Sequence, residues 1–199
     1  MGVTKYVDVE TARALFAAGL RDLAESRPQE LWRKAEGLKD QPIHWHFVGQ
    51  LQRNKVEQTL PLIALLHSGD SLRLLEAVNS AAVKQRRIVE MLLEVNISGD
   101  EAKHGFADHE LRSSLPAIAA LPGIRVRGLM TMAALEGGSE RARRDFAALR
   151  ELRDQLRNDC PPQIEPAELS MGMSGDFVEA IEEGATIVRV GSALFEGIA

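Results

Sequence analysis

The 199 residues carry 24 Lys plus Arg against 29 Asp plus Glu, a formal net charge of −5, with 45% hydrophobic and 27% charged side chains. That mix sits near globular averages and far from the compositions that leave chains disordered, and its mild acidity argues against a phosphate-backbone binder, whose cations would gather into a basic face. No apolar stretch approaches the ~18 residues of a membrane span and no basic then apolar signal region follows Met1, so we expect one cytoplasmic domain over residues 1–199 with neither nucleic acid nor membrane as partner.

The first apolar run, 2–7, predicts a strand ending near Lys5, followed by a helix over 9–18 that Asp8 caps and Gly19 stops. A strand over 20–24 leads to a helix that begins at Pro28 and closes at Gly37. Strands then follow at 43–48, where His44 and His46 share a face, at 62–67, at 88–96 and at 124–130. The clearest helix is 140–158, in which Phe146, Leu149, Leu152 and Leu156 form one apolar stripe and Glu140–Arg144 and Arg150–Asp154 are spaced as exposed ion pairs. A loop over 160–166 precedes a short strand at 168–170. Asp176 with Glu179 resembles a capping box for a helix closed by Gly184, and the last strand covers 186–190.

Strands alternating with helices are the pattern of repeated βα units. Eight of them suit a (β/α)8 barrel of the TIM type, short against the ~250 residues usual for it. An open doubly wound sheet fits the same periodicity. Either way the site lies at the carboxyl ends of the strands, where Lys5, Asn96, Met130, the 170–174 segment and the 189–192 segment fall.

Gly172, Ser174, Gly175, Gly191 and Ser192 suit a phosphate site, because small residues permit close backbone approach and hydroxyls add donors. Lys5 in a barrel mouth becomes an amine nucleophile when desolvation lowers its pKa. A phosphate cradle facing such a lysine points to a phosphorylated carbonyl compound, of which pyridoxal phosphate is the foremost candidate; a barrel enzyme handling a sugar phosphate is the competing reading. His44 and His46 lack a third ligand in register, so hydrogen-bonded histidines are expected rather than a metal site. Neither GQLQRNK nor MGMSGD has the spacing of a Walker loop or a nucleophile elbow, and Cys160, with no basic neighbour, is given no role.

VTKYVDVE, HWHFVGQLQRNK, LLEVNISGDEAKHGF, RGLMTMAAL, ELSMGMSGDF and TIVRVGSALFEG, in that order along nearly the whole chain, closely resemble the pyridoxal phosphate homeostasis proteins, also called the proline synthetase co-transcribed family. The resemblance implies a barrel like the N-terminal domain of alanine racemase, here shortened at the N-terminus, which holds pyridoxal 5'-phosphate as a Schiff base on Lys5. It carries phosphate contacts onto Ser174, Gly191 and Ser192 with Gly172 nearby, the pyridine-facing arginine onto Arg189, and lining roles onto Ser26, His46, Asn96 and Met130. Ala24 and Ser26 stand where the family more often has glycine and asparagine. Without the family's leading helix, the Lys5 strand is expected to be poorly anchored.

A guanidinium at the pyridine nitrogen disfavours its protonation and weakens the ring as an electron sink, and Tyr6, next to Lys5 in a strand, should point away from it. The expected protein is therefore a monomeric cofactor carrier for vitamin B6 and amino-acid homeostasis, with apo-enzymes as recipients and no efficient turnover. A pyridoxal phosphate-dependent racemase is the alternative.

Overall fold

In the computed structural model, which describes residues 1–100, 103–134, 136–161 and 163–197, the strands run parallel in sequence order. They are β1 (Gly2–Val3), β2 (Asp22–Glu25), β3 (His44–Phe47), β4 (Leu65–Gly69), β5 (Val89–Glu94), β6 (Ile124–Met130), β7 (Ile164–Met173) and β8 (Ile187–Arg189). Gly2 bridges Val190, Val3 N donates to Val190 O at 2.8 Å, and Val190 N donates to Met1 O at 3.1 Å. The last strand thus meets the first. Closure removes both sheet edges and decides for the barrel over the open sheet.

Helices α1 (Val9–Ala17), α2 (Pro28–Gly37), α3 (Val56–Thr59), α4 (Leu72–Lys84), α5 (Asp108–Ala119), α6 (Gly138–Asp159) and α7 (Phe177–Glu182) accompany the strands. The main core lies between helices and strands: Leu23, Phe47, Leu66, Met91 and Leu129 alternate outward against helical residues such as Leu31, Leu75 and Phe146. Burying each such side chain contributes about 1.5–3 kcal/mol. The expected stripe of α6 is buried at all four positions, and Asp8 caps α1 by accepting from Thr11 N at 2.8 Å. A separate apolar cluster of Leu65, Leu92 and Met130 with Ile187 comes from strand positions that alternate with those facing the helices. No helix among the described residues is long and apolar enough to cross a membrane.

Several local expectations yield to tertiary contacts. Pro166 argues against a strand, yet β7 begins at Ile164, because a register shift between Val126 and Gly128 of β6 accommodates the residue that cannot donate; Pro162 of the expected loop lies outside the described residues. Asp176 turns back to accept from Met173 N at 2.5 Å and makes no capping bond to α7. Arg150 pairs with Glu183 across to the end of α7, leaving Asp154 to Arg153, and Arg144 donates to the Glu140 carbonyl rather than its carboxylate.

The largest departure is at the amino end. β1 stops at Val3, and Thr4, Lys5, Tyr6 and Val7 form a turn closed by Val7 N donating to Thr4 O at 3.1 Å. Thr4 is what bends the chain. Its hydroxyl donates to Glu25 Oε1 at 2.5 Å, and Lys34 Nζ from α2 donates to both Thr4 O and Glu25 Oε1 at 2.5 Å. Thr4, Glu25 and Lys34 are all fully buried. With β2 on one side, the 190 backbone on the other and this clamp beneath it, the segment carrying Lys5 is firmly anchored, contrary to expectation.

Candidate functional site

The strands' carboxyl ends and the loops after them enclose a cavity of about 460 Å³, within the range of small-molecule and cofactor sites. Its lining brings together Lys5, Ser26, Ser174, Arg189, Gly191 and Ser192 from four separate stretches of sequence. Val3, Val48, Met132 and Met173 supply apolar wall. Lys5 is exposed at the rim rather than desolvated, its Nζ 4.8 Å from the Tyr6 ring centroid. Because the strand has already ended, Tyr6 lines the same mouth and does not point to the other side.

Within the same lining, Ser174 Oγ accepts from the backbone N–H of Gly191 at 3.1 Å and of Ala193 at 3.3 Å. Two backbone donors therefore converge where a single oxygen sits, which is the arrangement that receives a phosphate oxygen. Asp176, bonded to Met173 N, pins the loop that presents Ser174. Gly49 brings the third unit inward: a Cβ there would meet Ser26 O at 2.0 Å, so only glycine lets these two lining loops touch.

Arg189 ends β8 with its guanidinium buried, Nη1 donating to Ser170 Oγ at 2.7 Å and Nη2 to Thr131 O at 2.8 Å. Burial brings its pKa down to about 10, partly offset by the carboxylates of Glu94 and Asp176. It remains a cation at neutral pH, fixed in orientation on two sides.

Three expected lining residues, His46, Asn96 and Met130, and Gly172, expected beside the phosphate contacts, are not among the residues lining this cavity. His46 belongs to the opposite end of the barrel, in a second cavity of about 690 Å³ lined also by Asp22, His44, Glu90, Arg127 and Glu168. That cavity is the larger, but it opens at the amino ends of the strands, the end of such barrels that carries stability rather than chemistry. Asn96 braces its own loop, donating to Asp100 O at 2.8 Å and accepting from Ser98 Oγ and Gly99 N. Met130 is buried with Leu65 and Leu92. Gly172 packs on α7, where a Cβ would lie 2.4 Å from Ala180 Cβ and its φ of +89° favours glycine.

The family described as alanine racemase, N-terminal domain, matches residues 5–198. A pyridoxal phosphate homeostasis protein of Aquifex aeolicus is 40% identical over 195 residues, spanning 98% of this chain and 85% of that relative. This chain belongs to the pyridoxal phosphate homeostasis protein family. Another family member, PipY of Synechococcus elongatus PCC7942, is solved without PLP (TM-score 0.93, 36% identity) and with PLP bound (TM-score 0.92, 35% identity), with 98% of this chain covered and 90% and 91% of those chains. Alanine racemase of Clostridium difficile 630 aligns at TM-score 0.82 and 17% identity over 98% of this chain and 51% of its own, a likeness of fold alone.

Against this family background, Glu94, His104 and Met132 are mouth residues that the sequence reading passed over. A signal for Glu94 was present: it is a charge closing the apolar run MLLE, and β5 ends on it, two residues short of Asn96. Burial, reinforced by Asp70 and opposed by Arg189, pushes the Glu94 carboxyl up to about 7. A carboxyl raised above its unfolded value binds its proton more tightly when folded, so it lowers stability as pH climbs from 4.5 through about 7. Glu94→Gln is therefore expected to unfold at higher urea than the parent near pH ~8, with the gap closing toward pH ~5. Urea titrations at both ends of that window check the sign; a gap that widens toward acid would contradict it.

Proposed function

We propose that this protein holds pyridoxal 5'-phosphate at the barrel mouth, covalently on Lys5, as a monomeric cytoplasmic domain that buffers the cofactor and passes it to apo-enzymes without robust turnover of its own. The observation that carries this is one cavity containing an amine, a phosphate-type donor pair and a fixed guanidinium. The cofactor offers an aldehyde, a phosphate and a pyridine nitrogen, and these three groups have matching partners among residues of this chain. When bound it supplies an electrophilic carbonyl and an electron-accepting ring.

Lys5 Nζ is the group suited to bond the aldehyde carbon, and Tyr6 shields one side of that amine. Ser174 Oγ with the Gly191 and Ala193 N–H groups would take the phosphate, and Ser192 and Gly175 stand beside them. Met132, Met173, Val3 and Val48 line the cavity with apolar surface that would keep water from a bound ring. Arg189, a cation held by Ser170 and Thr131, would not accept a proton from a bound ring and would disfavour one on its nitrogen, which would weaken carbanion stabilisation and supports carriage over catalysis.

The test is addition of pyridoxal 5'-phosphate followed by borohydride reduction and peptide mapping. A single modified peptide containing Lys5 is expected; modification spread over Lys55, Lys84 and Lys103 would overturn the assignment. Incubation of the loaded protein with amino acids in deuterated water separates carrier from racemase. Deuterium uptake no faster than with the free cofactor is expected, and sustained α-carbon exchange would replace carriage with racemase chemistry.

A further inference from the structure

Between the two cavities the barrel is threaded by a line of hydrogen-bonded side chains, one from each of five strands. From Arg189 Nη1 it runs 2.7 Å to Ser170 Oγ, 2.9 Å on to His67 Nδ1, 2.9 Å from His67 Nε2 to His46 Nδ1, and 3.2 Å from His46 Nε2 to Asp22 Oδ1. Ser170 and His67 are fully buried, and Arg189 and His46 nearly so. Asp22 is half exposed at the far face, where His44 Nδ1 also reaches its Oδ1 at 3.3 Å.

Donor and acceptor accounting gives this line a direction. A guanidinium only donates and a carboxylate only accepts, so the two ends are unlike. Ser170 Oγ accepts from Arg189 and has one proton of its own to give, for which His67 Nδ1 is in place. His67 must then carry its proton on Nε2 and donate to His46 Nδ1, and His46 must donate from Nε2 to Asp22. The reverse order would set a lone pair of His46 against the Asp22 carboxylate and would require a further acceptor for the Ser170 hydroxyl. Both imidazoles are neutral in this arrangement, and burial holds both below their ordinary pKa.

We infer that Asp22, at the face opposite the mouth, is a positioning residue for Arg189: it orders the protons of His46, His67 and Ser170 in one direction and so holds the guanidinium in place. While His67 takes its hydroxyl proton, Ser170 turns a lone pair to Arg189 with its own proton satisfied; in the reversed order that buried proton has no acceptor, which penalises the arrangement that holds Arg189, and Asp22 works against that order by fixing the tautomer of His46. The inference concerns the chain without any ligand and so stands apart from the cofactor reading.

The experiment is nuclear magnetic resonance of the full chain, unloaded and labelled with nitrogen-15, reading long-range couplings of the histidine rings and the Arg189 guanidinium signals. His46 and His67 are each expected to be protonated at Nε2 alone. In Asp22→Ala the single tautomer of His67 is expected to give way to a mixture, with the Arg189 signals shifted. Asp22→Asn, which keeps an oxygen acceptor, should restore both. A proton on Nδ1 of His67 in the parent, or unchanged His67 and Arg189 signals in Asp22→Ala, would overturn the inference. The parent's tautomers decide the proton order even where a variant fails to fold, and a failure of cofactor binding leaves these readouts untouched.

Discussion

Lys5→Ala is expected to abolish the reducible covalent adduct with pyridoxal 5'-phosphate while leaving the unfolding free energy within about 1 kcal/mol of the parent. The two effects separate because Lys5 sits in an exposed turn whose shape is set by its neighbour Thr4, so removing the amine costs only the contact with Tyr6. Ser174→Ala is the contrasting variant. It keeps the amine and removes one of the groups proposed to meet the phosphate, so the adduct should persist with affinity lowered about tenfold, the equivalent of one net hydrogen bond. Absorbance titration before and after reduction reads both variants. Undiminished adduct in Lys5→Ala, with the remaining lysines unmodified in the parent, would leave the mouth without its proposed nucleophile.

Lys34→Ala should cost about 3–5 kcal/mol of stability, because it strands the Glu25 carboxylate in a fully buried site. Glu25 Oε1 accepts from Thr4 and Lys34, and among the described residues Glu25 Oε2 has no partner, so the pair leaves little slack. The stability of the pair is best judged by removing both charges: Lys34→Met with Glu25→Leu is expected to recover much of the loss, since well-packed apolar residues often replace buried ion pairs at little cost. Urea denaturation of the single and double variants gives the coupling between the two sites. The single variant should also weaken cofactor binding, as Thr4 O keeps only the Val7 N–H as donor and the turn presenting Lys5 loosens. A Lys34→Ala protein as stable as the parent would show that the buried carboxylate is met by water or takes up a proton.

What the sequence determined by itself was set by local periodicity and local stereochemistry. The alternation of apolar runs with helical stripes reflects residue spacing within each segment, so strand positions, the buried face of α6, the Asp8 cap and the start of α2 at Pro28 could be read without knowing where any segment goes. The same holds for Lys5 and Arg189, near the carboxyl ends of predicted strands, and for Ser174 and Gly191, which follow them, so that all four fall at one end of the fold whether sheet or barrel. Depth along the barrel axis was not legible, because it depends on how strands far apart in sequence are staggered. His46 faces inward as alternation requires, but its register with Ala24 and Leu65 leaves it at the amino-terminal cavity, while Val48 and Gly49 of the same segment reach the mouth. Tertiary structure alone decided closure through Gly2 and Val190, the turn that swings Tyr6 beside Lys5, and the line from Asp22 to Arg189, since each rests on atoms brought together by folding from positions remote in the chain.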